Sequence, residues 1–121
     1  MGVNNGQTII QTVKATVAPA TALGNVLVYN VPANSLLIVE HLYCYMYPFG
    51  AAGAATGLII AFINSIEVAR IFNPTGVGDF ASINMGQMYV QGGENVVFQW
   101  SNAGGGVNTF MQAGFKGRLL A

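Results

Sequence analysis

Residues 36–47 form the longest unbroken run of strand-forming residues in this chain, and they follow a turn written into Val31-Pro32-Ala33-Asn34-Ser35. Pro32 fixes its own φ and holds Val31 extended, while Asn34 and Ser35 can bond the turn backbone through their side chains. The chain reverses there and enters a long strand. Alternate side chains of a strand point to opposite faces. One face of this run reads Leu36, Ile38, Glu40, Leu42, Cys44 and Met46, and the other reads Leu37, Val39, His41, Tyr43, Tyr45 and Tyr47. Neither is polar along its length. A sandwich strand needs only one buried face, so the second must meet a loop, a helix or another subunit. Leu37, Val39, Tyr43, Tyr45 and Tyr47 are the candidates for a subunit contact, because tyrosine rings bury area while their hydroxyls keep a polar partner. A central core strand with a loop folded over it accounts for the same pattern equally well.

Charge narrows the function classes. Only 7% of the 121 residues are charged, against about 25% in an ordinary soluble domain. The inventory is Lys14, Lys116, Arg70, Arg118, Glu40, Glu67, Glu94 and Asp79, with a formal net charge of zero. A globule of this kind self-associates, so its surface is expected to be covered by copies of itself or by a partner. Four unclustered basic residues release few counterions from a phosphate backbone, which argues against nucleic acid as a partner. Cys44 is the sole cysteine and lies within the strand run, where it serves as a small buried hydrophobe in a chain folded in reducing cytosol. Residues 1–7 have neither the charged nor the apolar region of a secretion signal, and no Ser or Thr in the sixth position for myristoylation. The low-polarity window 51–63 is too short to span a bilayer, so no membrane role is implied. Pro74 removes Asn73 as a glycosylation acceptor.

The chain reads as a polar arm, residues 1–7, followed by one β-domain, residues 8–121, large enough to bury about two-thirds of its unfolded surface. Residues 7–17 alternate, with Ile9, Val13, Ala15 and Val17 on one face against Thr8, Ile10, Thr12, Lys14 and Thr16. A break at residues 18–22 precedes a second strand over 26–31. Residues 58–63 and 66–72 make a hairpin about Asn64-Ser65. Residues 48–57 and 73–79 are loops by their small residues, glycines and prolines. Strand resumes over 80–91 with a kink or bulge at Gly86. A hairpin-type turn at Gln91-Gly92-Gly93-Glu94-Asn95 leads into 96–101, where Val96, Phe98 and Trp100 share a face, and a last strand covers 109–120. Eight strands without an amphipathic helix predict an all-β sandwich, specifically an eight-stranded jelly roll.

Catalytic and metal chemistry find little support. His41 is the only histidine, and Glu40 beside it faces the opposite side of a regular strand, so neither a multi-histidine metal site nor a relay of several histidines is expected. The carboxylates lie on separate elements, the glycine-rich segments lack the Lys-Ser or Lys-Thr of a phosphate loop, and a lone Asp79 is a poor calcium site. No enzyme and no cofactor are predicted. Trp100 with Tyr89 could form a sugar-stacking platform, although sharing a face with Val96 and Phe98 places Trp100 in the core.

The Val-Pro-Ala-Asn turn into residues 31–47, the Gly-Gly-Glu-Asn turn before 96–101, and the closing Gly114-Phe115-Lys116-Gly117-Arg118-Leu119-Leu120 together resemble the small jelly-roll decoration, or cement, proteins of tailed-bacteriophage capsids. The resemblance spans most of the chain in character. It implies a homotrimer on the outside of a virion, made in the host bacterial cytoplasm, that bridges major capsid protein subunits and stabilises the icosahedral shell. Val3, Asn4, Asn5, Phe49, Asn73 and Asp79 are the expected capsid contacts. The competing expectation is a carbohydrate- or receptor-binding β-sandwich module of a phage tail or head fibre.

Overall fold

The structure, a computed structural model, describes residues 6–48, 57–73, 79–103 and 108–121. Through them run eight strands: β1 (Gln7–Val17), β2 (Thr21–Asn30), β3 (Leu36–Pro48), β4 (Gly57–Ile63), β5 (Ile66–Asn73), β6 (Asp79–Gln91), β7 (Asn95–Asn102) and β8 (Thr109–Leu120). They build two four-stranded sheets, β1-β8-β3-β6 and β2-β7-β4-β5. Every pairing is antiparallel. The result is a β-sandwich.

Only β4 and β5 are consecutive strands that pair with each other, and the turn between them shows why they can. Asn64 and Ser65 have φ of 49° and 65°, the left-handed pair of a type I′ loop, whose twist matches that of a two-stranded ribbon. All other connections cross from one sheet to the other. The segment 91–95, expected as a hairpin, is therefore a crossing turn: it closes on itself through Glu94 N–H to the Gln91 carbonyl at 3.0 Å, but delivers the chain from β6 to the opposite sheet. The break expected at 18–22 is shorter than its composition suggests. A tight turn with Ala20 at φ 60° and a bond from the Thr21 hydroxyl to the Ala18 carbonyl (2.7 Å) suffices, so β2 starts at Thr21 rather than at 26. It reaches β7 through two register irregularities.

Alternation produces the core. Ile59, Ala61 and Ile63 of β4, Val96, Phe98 and Trp100 of β7, and Met111, Ala113 and Phe115 of β8 all enter it, as the period of two requires. Phe98 and Phe115 are fully buried, each worth roughly 1.5–3 kcal/mol of transfer free energy, and Phe115 meets Tyr29 edge-on at 5.6 Å.

β3 departs from simple alternation. Val39 pairs with Gly117 and His41 with Lys116, so β3 holds one residue more than β8 over this step, a bulge at Glu40. An extra residue exchanges the two faces of everything after it. Leu37 and Val39 point inward before the bulge, and Leu42, Cys44 and Met46 point inward beyond it. The expectation that Leu37 and Val39 share an outer face with the tyrosines is thereby corrected: both are fully buried among core residues. The neighbouring strand β6 changes register at the same level, where Gly86 takes φ +65°, as its position in the sequence suggested.

Candidate functional site

With the bulge in place, the outer face of β1-β8-β3-β6 becomes continuous. Tyr43, Tyr45 and Tyr47 emerge on β3 opposite Gly114, Gln112 and Phe110 of β8, and the rows extend on β1 to Thr12, Lys14 and Thr16. Tyr43 lies across Gly114 and donates its hydroxyl hydrogen to Thr12 Oγ1 at 2.8 Å. A side chain at position 114 would leave no room for it: a Cβ there would come within 2.7 Å of the Tyr43 hydroxyl and collide with the Gln11 carbonyl. Tyr45 packs edge-on against Phe110, centroids 6.1 Å apart, and Tyr47 is about half exposed. Phe110 joins the three tyrosines without having been expected there; its even-numbered position, two residues from outward Gln112, is the signal for it in the sequence.

Towards the other end of this face the character turns ionic. Ile38 is 5% exposed yet lies outside the core cluster, sheltered where its register partners are Arg118 and Tyr89. Arg118 Nε reaches Glu40 Oε2 at 3.2 Å, so the bulge residue also anchors a part-buried ion pair. Lys14, Lys116 and Arg118 give this sheet three of the chain's four basic residues, against Glu40 and Asp79.

Of the expected capsid contacts, the structure describes Asn73 and Asp79. Gly6, next to Val3, Asn4 and Asn5 in sequence, sits against Leu119 and Leu120 at the end holding the 31–35, 64–65 and 91–95 turns. Asn73 pairs with Gly57, and Asp79 with Met46, at the far end of the strands. Val3, Asn4, Asn5 and Phe49 themselves lie outside the described residues. Strands of 10–13 residues separate the two ends by roughly 30–40 Å at about 3.3 Å per residue.

At the near end, the two turns that stood out in the sequence are docked on each other. Val31 N–H donates to the Glu94 carbonyl at 2.9 Å and Gly93 N–H to the Val31 carbonyl at 3.0 Å. Glu94 also folds back to accept the Gln91 N–H on Oε1 at 2.7 Å. A Cβ on Gly92 would come within 2.8 Å of the Pro32 carbonyl, which is why this turn begins with glycine.

Other candidate groups are dispersed. Trp100 is 6% exposed in the core of the second sheet, whereas Tyr89 is 57% exposed on β6 of the first, so they form no common platform. Among the described residues no three His, Cys, Asp or Glu side chains cluster as metal ligands, and no helix is long and apolar enough to cross a membrane. Cys44 is buried, and its surroundings push the thiol pKa from 9.0 up to about 12 by desolvating the thiolate. Glu67 and Arg70 pair on the exposed face of β5 at 2.6 Å, and the guanidinium hydrogen bonds hold the carboxyl below its usual range. No protein-family model matches the chain, and no curated protein is similar enough to register as a relative.

Proposed function

We propose that this chain is a jelly-roll structural protein of a tailed-bacteriophage virion, a homotrimer that decorates the icosahedral capsid and stabilises it by bridging major capsid subunits. The pairing of first strand with eighth, second with seventh, third with sixth and fourth with fifth supports the jelly-roll part, because a long antiparallel ribbon wrapped into two layers produces that nesting. The observation that carries the functional reading is the aromatic outer face of β1-β8-β3-β6. Tyr43, Tyr45, Tyr47 and Phe110 stand outside a core that is already complete without them. In a chain with 7% charged residues, such a face is the natural place for copies to meet. Bridging then relies on many weak contacts repeated over a symmetric shell. Lys14, in one row with Gln112 and Tyr45, and Lys116, opposite His41, suit an acidic partner surface.

Light scattering combined with co-sedimentation on tailed-phage heads tests this. A trimer that pellets with heads, and that Tyr45→Glu converts to a monomer, is the expected result. A stable monomer that stays in the supernatant would remove the basis of the reading.

A further inference from the structure

The outer face of the second sheet carries a different kind of surface, independent of the capsid reading. An open depression of about 310 Å³ is lined by Asn25, Phe62, Ser65, Asn95, Val97 and Gln99. Three of these, Asn95, Val97 and Gln99, are successive outward residues of β7, since Val96, Phe98 and Trp100 turn inward between and beyond them. Asn25 comes from β2, opposite Gln99, and Phe62 from β4, opposite Val97. Its volume lies at the lower end of the about 300–1,000 Å³ typical of small-ligand sites.

The lining chemistry selects the ligand. Among the described residues no ionisable side chain borders the depression, and Glu67 and Arg70 on the neighbouring β5 are engaged with each other. Phosphates, carboxylates and metal ions thus have nothing to neutralise them. What is offered is one part-buried aromatic ring beside three carboxamides and a hydroxyl. Gln99 Nε2 donates to Asn25 Oδ1 at 2.7 Å, which orients the two amides relative to each other and spends neither the Asn25 amide N–H groups nor the Gln99 carbonyl oxygen. A neutral, donor-and-acceptor-rich molecule with an apolar face fits that set. We infer that this depression binds a neutral carbohydrate, with one sugar ring lying on Phe62 and its hydroxyls bonded to Asn25, Gln99 and Asn95. The site is distinct from the Trp100 and Tyr89 positions, neither of which borders it.

The test is titration of the ¹⁵N-labelled chain with glucose, galactose, N-acetylglucosamine, lactose and maltose, following the side-chain amide resonances of Asn25, Asn95 and Gln99. At least one sugar is expected to shift these resonances saturably, and Phe62→Ala to weaken it at least about tenfold, equivalent to about 1.4 kcal/mol. Asn25→Asp and Gln99→Glu keep size and shape, so they test the site even where Phe62→Ala impairs folding; each is expected to weaken the same sugar about tenfold. Silence of the three amides towards every sugar would overturn the inference. So would shifts mapping elsewhere, affinity unchanged in both isosteric variants, or tighter binding of inorganic phosphate or sialyllactose at these residues.

Discussion

Single residues set local tolerances that can be read quantitatively. Ser65 occupies a left-handed conformation that costs an L-residue about 1–2 kcal/mol, while glycine there loses about 0.5–1 kcal/mol of chain entropy on folding. Ser65→Gly is therefore expected to stabilise the fold by about 0.5 kcal/mol, seen as a higher urea midpoint at constant slope. Gly114→Ala goes the other way. Its Cβ would meet a backbone carbonyl that cannot rotate aside, so a loss of about 1–3 kcal/mol is expected, whereas Gly24→Ala, with open space around the new methyl group, is the matched control. Cys44 makes a pH prediction. Its folded pKa, about 12, lies above the 9.0 of an exposed thiol, so the unfolded chain loses this proton first. The contribution is fully present below pH 9 and is lost as pH rises towards 12, at about 1.4 kcal/mol per pH unit. Denaturation at a series of alkaline pH values should show this slope in the parent and lack it in Cys44→Ala. The same burial should leave Cys44 unreactive towards a thiol reagent until the protein unfolds.

At the scale of elements, local chemistry made most of the strands legible. β1, β7 and β8 follow from alternation, β4 from an apolar run of strand length, and β5 from the turn preference of Asn64-Ser65, because those signals lie within a few residues of each other. The early part of β2, 21–25, carries a single large apolar residue, Leu23, among small and polar ones and so shows no strand period; pairing with β7 makes it a strand. The bulge at Glu40 was invisible for a related reason. It exists only relative to β8, and a run that is apolar on both sides gives alternation nothing to mark the change of phase. What looked like a two-faced strand is two one-faced strands joined out of phase. Deleting Glu40 should accordingly turn Leu42, Cys44 and Met46 outward and bring three tyrosines into the core. The expected outcome is a chain without a cooperative unfolding transition, checked by circular dichroism on heating. Glu40→Gln, which keeps the extra residue and removes only a part-exposed ion pair, should cost no more than about 1 kcal/mol.

At the scale of the whole molecule, strand order was the least legible property, because every pairing except that of β4 with β5 joins segments far apart in sequence. The candidate sugar site shares that fate: Asn25 and Gln99, 74 positions apart, become neighbours only through the pairing of β2 with β7. The two docked turns, by contrast, were both conspicuous in sequence; what could not be read was that each holds the other. Gly92→Val should test that mutual support, with the bulkier residue driven against the Pro32 carbonyl and the Asn34 amide and a loss of about 1–3 kcal/mol. One end of the sandwich is thus closed by short, interlocked turns, and the connections 49–56, 74–78 and 103–108 all leave and re-enter strands at the other. The molecule consequently has a direction in which its sequence is free to lengthen. Insertions between β3 and β4, β5 and β6, or β7 and β8 would enter at the pole away from the docked turns at 31–35 and 91–95, so diversity in descendants of this chain is expected to accumulate there while the opposite pole stays constant in length.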